Sequence, residues 1–116
     1  FAQCVKLWGH NMDQYCISFR IANKSVNGKS YGERREMLCE NARTEDLGYW
    51  DETTSFILAE SSLTTNDFAE KVCKGLSAED DMVFVFDPAD MSACYFGNVA
   101  SVDVLKSFFP KAEKVG

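Results

Sequence analysis

The chain of 116 residues contains a single histidine, His10, and its five cysteines include no Cys-x-x-Cys pair. Because structural zinc is held by four Cys or His side chains, a zinc site is not expected. Gly-rich phosphate loops and the motifs His-Glu-x-x-His and Gly-x-Ser-x-Gly are also absent. We therefore predict no cofactor, no metal ligand and no catalytic residue.

No apolar run approaches the roughly 20 residues that a membrane-spanning helix needs, so no membrane contact is expected. The first twelve residues lack the basic start and the continuous apolar middle of a signal peptide. The chain begins with Phe1 rather than Met. Either its start is processed, or residues 1–11 are an added remnant and Met12 is the original start.

The cysteines, at positions 4, 16, 39, 73 and 94, are odd in number. Cys16, Cys73 and Cys94 lie within apolar patterns, as expected of free thiols that pack as small apolar groups. Cys94 has no histidine nearby in sequence to activate it, so packing is favoured over nucleophilic catalysis. Because free thiols persist in reducing compartments, we expect a cytoplasmic protein.

The formal net charge is −6, and the charges are slightly uneven: seven of the twelve basic residues fall in the first half of the chain and ten of the eighteen acidic residues in the second. A broad nucleic-acid surface needs clustered Lys and Arg, so the charge disfavours, without excluding, nucleic acid as a partner. A solvated surface is the simplest interpretation. Two surfaces of opposite sign, suited to self-association or to a charged protein partner, are the alternative.

The segment 79–99 is predicted to form the centre of the fold. Residues 82–86, Met-Val-Phe-Val-Phe, are apolar on both alternating faces, which is typical of a strand in the middle of a sheet. Residues 87–90 follow as an Asp-Pro-Ala-Asp turn. Residues 92–98 predict a return strand, in which Gly97 lets the strand bend or another backbone come close.

Capping signals and periodicity predict the other elements. Helix starts are indicated by Ser-x-x-Glu at 30–33 and by Thr64 with Asp67. Arg34 and Arg35 lie beside several glutamates, which predicts solvated ion pairs. The predicted elements are strands at 14–22 and 49–60, a candidate strand at 2–9, helices at 31–43 and 64–75, a short helix capped by Ser101 and stopped by Pro110, and a loose tail at 111–116.

This order contains two β-α-β halves and predicts one ferredoxin-like α+β domain over residues 1–110. All helices are expected on one face of an antiparallel sheet, with residues 2–9 as a candidate extra N-terminal strand. The uncovered face still carries apolar residues, and a partner subunit would bury them. We therefore expect a homodimer.

Three stretches carry a family resemblance: Tyr-Cys-Ile-Ser-Phe at 15–19, Gly-Tyr-Trp-Asp-Glu-Thr-Thr-Ser-Phe-Ile-Leu at 48–58, and Leu-Ser-Ala-Glu-Asp-Asp-Met-Val-Phe-Val-Phe at 76–86. Residues 14–98 are thereby similar to the small SinR-like proteins, which resemble the CRISPR-associated ferredoxin-like endoribonucleases and virulence-associated protein D. The resemblance implies a ferredoxin-like fold and a homodimer joined through the sheets.

In the related nucleases a metal-binding aspartate closes the first strand, and this chain has Arg20 at that position. Arginine is cationic and has no lone pair for Mg²⁺, which speaks against hydrolysis by the family's route. The leading hypothesis is therefore a non-catalytic homodimeric module that acts through protein contacts. The alternatives are a divergent metal-dependent ribonuclease and an acidic immunity or antitoxin-like inhibitor.

Carboxylates are densest at 80–90. Asp81 and Asp87 flank one strand, about 20 Å apart at the usual strand rise, so they cannot share one ion. Asp87 and Asp90 span a turn, where a single hard metal ion would fit between them, but turn capping is the favoured role.

Other side chains have simpler roles than catalysis or binding. His10 has no recognisable partner for acid–base chemistry. Trp8, Tyr49 and Trp50 suit base stacking, but packing is the simpler interpretation. The predicted interface or cleft residues are Ser18, Arg20, Tyr49, Trp50, Asp87 and Tyr95.

Overall fold

A computed structural model describes residues 12–116, which fold into six strands and three helices. The candidate strand at 2–9, together with Trp8 and His10, lies outside the described residues. The strands are β1 Asp13–Arg20, β2 Tyr49–Trp50, β3 Phe56–Ser61, β4 Met82–Phe86, β5 Ala93–Gly97 and β6 Glu113–Val115. The helices are α1 Tyr31–Ala42, α2 Thr65–Val72 and α3 Val102–Phe108.

The strands form one sheet in the order β2-β3-β1-β4-β5-β6, and only the β5–β6 pair is parallel within the described part. The predicted α+β class and the antiparallel character of the sheet are confirmed. One of the two predicted β-α-β halves is present, because α2 joins β3 to β4 and these strands flank β1. The other is replaced by an antiparallel pair, since β1 and β3 are direct neighbours.

The hydrophobic core lies between the sheet and the helices α1 and α2. Ile17 of β1 aligns with Ile57 on one side and with Val85 on the other, and all three are buried. Alternate residues of these strands share this side of the sheet, which we call the helix face. Full burial of each large apolar side chain stabilises the fold by roughly 1.5–3 kcal/mol. The helices complete the core with Leu38, Ala42, Phe68, Ala69 and Val72.

Two of the three predicted helix caps form. The Ser30 hydroxyl accepts from the Glu33 amide at 3.1 Å, and the Glu33 carboxylate accepts from the Ser30 amide at 2.8 Å. The Thr64 hydroxyl accepts from the Asp67 amide at 3.2 Å. The prediction for Ser101 is wrong: its φ of 56° is left-handed, and its side chain makes no capping bond to α3.

Two predicted segments differ in the structure. The single strand predicted at 49–60 is two strands, because the polar residues 51–55 form a loop and β2 folds back beside β3. The loose tail predicted at 111–116 is wrong as well. Its residues 113–115 form β6, which pairs with β5 and buries Val115 against the core.

The prediction that all helices cover one face is wrong for α3. Phe109, the residue after α3, packs on Phe84 and Phe86, with ring centroids 4.9 and 5.0 Å away. These two phenylalanines alternate with the core residues Val83 and Val85, so they lie on the opposite side of the sheet. We call this side the open face, because α1 and α2 leave it uncovered.

A buried ion pair between Arg34 of α1 and Asp81 links the helix layer to the sheet. The two side chains are 1% and 0% exposed. Arg34 Nη1 also donates to the carbonyls of Ala22 and Lys24, at 3.1 and 2.8 Å. Asp81 accepts from the Ala22 and Ser77 amides, both at 2.9 Å. The predicted solvated ion pair is therefore wrong for Arg34, because its guanidinium points inward between two loops.

The backbone of Asp81 also requires glycine at position 97. Gly97 has a φ of +88°, and a Cβ there would lie 2.0 Å from the Asp81 carbonyl oxygen. The Asn98 amide donates to the same oxygen at 3.3 Å. The close backbone approach predicted for Gly97 is confirmed.

Replacing Arg34 by methionine is expected to lower the free energy of unfolding by about 3–5 kcal/mol, because Asp81 is left as an uncompensated buried charge. Chemical denaturation followed by circular dichroism measures the loss.

Lys24→Met is the matched control. Lys24 pairs with Asp80 at 2.7 Å, but its side chain is 59% exposed. Pairs of this kind contribute at most about 1 kcal/mol. Equal losses in the two variants would contradict the structural role given to Arg34.

Candidate functional site

The open face has a cavity of about 100 Å³ at the end formed by β1, β2 and β3. We call it the open-face cavity. Its wall is predominantly apolar, and the turn after β4 contributes Pro88 to it. The residues whose side chains matter to its chemistry are Cys16, Trp50, Leu58, Glu60 and Pro88.

Strand register brings these side chains together. Trp50 of β2 is opposite Leu58 of β3, and Leu58 is opposite Cys16 of β1. Side chains that are opposite one another share a face of the sheet, so this row crosses the open face. Glu60, two residues after Leu58, falls on the same face beside the row.

Glu60 is a carboxylate buried in this wall, with 3% of its surface exposed. Its Oε1 accepts from the Gly48 amide at 2.8 Å. Its Oε2 is buried and has no hydrogen-bond partner in the described part of the chain. A buried polar atom without a partner carries a desolvation cost, so Glu60 is an unusual residue for a wall that is otherwise apolar.

Glycine at position 48 makes the approach to Glu60 possible. A Cβ on Gly48 would lie 2.9 Å from Glu60 Oε1 and 3.1 Å from its Cδ. Any larger residue would therefore displace the carboxylate. Neither Gly48 nor Glu60 was singled out from the sequence, although a lone acidic residue at the end of the apolar run Phe-Ile-Leu-Ala is a usable signal.

Both predicted aromatic residues border the cavity, but only Trp50 has its side chain on the open face. Tyr49 is opposite Ala59, so its ring lies on the helix face and packs against the core. The Tyr49 hydroxyl donates to Asp51 Oδ2 at 3.2 Å, and the Arg43 guanidinium lies 5.2 Å from the ring centroid of Tyr49. Burial raises the pKa of Tyr49, so its hydroxyl stays protonated. Trp50 is partly exposed at the cavity rim, which leaves its ring accessible.

Cys16 contributes a thiol to the cavity, but not a ready nucleophile. Burial raises its pKa, with a further contribution from the Asp87 charge. The reactive form of cysteine is the thiolate, and a raised pKa keeps the thiol protonated at neutral pH. Cys16 therefore acts as a small apolar wall group.

The other predicted interface residues do not converge on the cavity. Ser18 and Tyr95 both lie opposite Phe84 on the open face, and Arg20 follows at the end of β1. Asp87 is buried. It follows Val83 and Val85 at alternate positions, so it lies on the helix face. The six predicted residues are thus divided among the cavity, the rest of the open face, the helix face and the turn after β4.

The turn after β4 gathers acidic side chains. Asp87 Oδ1 accepts from the Ala89 amide at 2.8 Å, and Asp90 Oδ1 accepts from the Ser92 amide at 2.9 Å. The predicted capping role of both aspartates is confirmed. Burial raises the pKa of Asp87, and the neighbouring charges of Asp90 and Asp13 raise it further, against a lowering by the Ala89 amide.

Within residues 12–116, no three His, Cys, Asp or Glu side chains are arranged to hold a metal ion. In the same range, no helix has the length and apolar character required to cross a membrane. Cys16, Cys39, Cys73 and Cys94 are free thiols. Burial raises the pKa of Cys73 to about 12 and that of Cys94 to about 11, as expected of packed thiols.

Comparison with known proteins adds no assignment: neither a protein-family model, nor a curated protein, nor a solved structure matches this chain.

Replacing Asp87 by asparagine is expected to change how stability depends on pH. The raised pKa of Asp87 means that the folded protein binds its proton more tightly than the unfolded chain does. This contribution to stability is fully present below the ordinary value of 3.8 and is lost as the pH rises through the folded pKa. Asparagine cannot titrate, so the variant gains stability relative to the parent as the pH rises.

Urea unfolding of both proteins between about pH 3 and pH 7 measures this difference. Asp103→Asn, an exposed residue of α3, is the control. A stability difference for Asp87→Asn that stays constant over this pH range would refute the assignment.

Proposed function

We propose that this chain is a non-catalytic interaction module that forms a homodimer through its open face. The observation that carries the proposal is the apolar surface around α3. Val104 and Phe108 are 58% and 70% exposed. They are four residues apart in one helix, so they point to the same side.

One residue, Phe109, joins the exposed end of α3 to the apolar part of the open face. Phe109 directly follows α3 and packs on Phe84 and Phe86, which are themselves only half-buried. We define Phe84, Phe86, Val104, Phe108 and Phe109 as the phenylalanine patch. Exposed apolar groups that gather at one place on the surface mark protein interaction sites in soluble proteins.

Self-association is favoured by the small number of charges in the phenylalanine patch. The chain as a whole carries a net charge of −6, which makes two copies repel each other. The patch itself contains no ionisable side chain, so two patches can meet with little local repulsion. A twofold interface uses the same surface on both subunits, which suits a single apolar patch.

The non-catalytic part of the proposal is supported by the positions of the charged residues of β1. Arg20 is exposed at one end of this strand, and Asp13 lies at the other end. At the usual strand rise the two are about 23 Å apart. The acidic turn formed by Asp87 and Asp90 is near Asp13, at the far end of the strand from Arg20. Asp81, which is close to Arg20 in the sheet, is already paired with Arg34.

Kinship with the SinR-like proteins is part of the same proposal. The unit β3-α2-β4, with β1 between its strands, supports the kinship, because ferredoxin-like folds contain such units. The antiparallel neighbours β1 and β3 set the topology of this chain apart from two complete halves. A cytoplasmic location, inferred from the free thiols, also belongs to the proposal.

Light scattering coupled to size-exclusion chromatography is expected to show a dimer for the parent protein. The double variant Val104→Ser, Phe108→Ser is expected to be a folded monomer, because both side chains are exposed in the single chain. Tyr31→Ser is the control, since Tyr31 is an exposed aromatic residue on α1, on the other side of the sheet. A parent protein that is monomeric at every concentration would disprove the homodimer and favour the acidic inhibitor.

Incubation with RNA and with DNA, in the presence of Mg²⁺ or Mn²⁺, is expected to give no cleavage above a no-protein control. The reason is that Arg20 offers no lone pair for a metal ion. Gel analysis of labelled substrates measures the outcome. Cleavage that persists through purification, is lost in Asp13→Ala or Asp87→Asn and is kept in Asp103→Ala would favour the ribonuclease alternative.

A further inference from the structure

The open-face cavity and the exposed end of α3 complement each other in size and chemistry. We propose that, in the homodimer, Phe108 of each copy inserts its ring into the open-face cavity of the other copy. This inference rests on the proposed homodimer and deepens it, because it states which parts of the open face meet. The ring would pack on the apolar wall of the cavity, formed by Cys16, Trp50, Leu58 and Pro88.

The helix α3 lacks a packing partner within its own chain. None of its seven residues is buried, whereas helices of soluble domains normally bury an apolar stripe. Phe108 is the most exposed large apolar side chain among residues 12–116, with 70% of its surface accessible. A single copy therefore leaves this ring in water, and it does not fill the cavity of its own chain.

The cavity has the size of an aromatic ring. A closed apolar cavity of roughly 150 Å³ holds a benzene molecule. The open-face cavity measures about 100 Å³ and is open beside Trp50, which is itself partly exposed. A phenyl ring that enters from this side leaves its Cβ and backbone outside, so most of the ring fits. Trp50 would then pack on the inserted ring as aromatic pairs do.

Twofold symmetry can form this contact twice, because Phe108 and the cavity adjoin one apolar surface. Phe109, next to Phe108, packs on Phe86 with ring centroids 5.0 Å apart. Phe86 is opposite Cys16, which lines the cavity. A twofold axis that lies in the interface and passes between Phe108 and the cavity brings each onto its counterpart in the other copy. One axis therefore gives two identical insertions.

The segments that carry the ring and the cavity have opposite charges. Residues 104–111, which contain Phe108, include two lysines and no acidic residue. Residues 45–52, of which 48–50 line the cavity, include four acidic residues and no basic one. The insertion brings these segments together, which offsets part of the repulsion between two acidic chains and favours a second copy as the occupant. The charged residues are Lys106 and Lys111 on one side and Glu45, Asp46, Asp51 and Glu52 on the other.

Mixed dimers of a ¹³C-labelled and an unlabelled full chain give a direct test. Isotope-filtered NOE spectra of such dimers report only contacts between the two copies. We expect contacts from the Leu58 methyl groups of one copy to the Phe108 ring of the other. A chain that light scattering shows to be monomeric would overturn the homodimer and the insertion together. A dimer without these contacts would overturn the insertion alone.

Two variants that complement each other sharpen the test. Phe108→Ser removes the inserted ring, and Cys16→Phe fills the cavity with a ring from its own strand. Each variant loses both insertions, so its dimer dissociation constant is expected to rise by about a hundredfold, at about tenfold per insertion. Their mixed dimer regains one insertion and should be about tenfold tighter than the dimer of either variant. Native mass spectrometry resolves the mixed dimer, because the two chains differ in mass.

The double variant Cys16→Phe, Phe108→Ser is the matched control. Mixed with Phe108→Ser, it supplies no ring for the open cavity, so no preference for the mixed dimer is expected. Circular dichroism checks that each variant is folded, and the NOE contacts decide the question if Cys16→Phe is not. A Cys16→Phe variant that dimerises as tightly as the parent, or equal preference for the mixed dimer in both mixtures, would overturn the insertion and leave the homodimer standing.

Discussion

The buried pair of Arg34 and Asp81 is the constraint on which the arrangement of the two layers depends. Two charges without solvent are tolerated only when their remaining hydrogen-bonding capacity is largely used. Here the carbonyls of Ala22 and Lys24, together with the amides of Ala22 and Ser77, supply that capacity. The loop after β1, the helix α1 and the entry to β4 are therefore fixed relative to one another, and the two central strands with them.

Local chemistry was readable from the sequence, and long-range partners were not. The alternation at 82–86, the caps at Ser30 and Thr64 and the aspartate turn depend on neighbouring residues, and the structure contains all of them. Arg34 was misjudged because nearby glutamates suggested solvent, whereas its partner lies 47 residues away. The strand at 113–115 was missed because three residues are too few to show an alternating pattern. Glu60 was missed because its environment depends on Gly48, twelve residues earlier in the chain.

The two sides of the sheet have different chemistry because different parts of the chain cover them. The helix face is sealed by α1 and α2, and its side chains are the most buried in the described part. The open face is met by α3 and Phe109 at one end, and it contains a cavity with an acidic group at the other. Packing against α1 and α2 explains the side chains of the helix face. The open face keeps apolar and polar groups that packing within one chain does not explain.

The lengths of the outer strands limit how this sheet can grow. In residues 12–116, β2 at one border has two residues and β6 at the other has three. An outer strand offers its free amides and carbonyls to foreign strands, and short ones offer few. Lateral recruitment of further chains, the route by which many sheets polymerise into fibrils, therefore has little backbone to start from at either border.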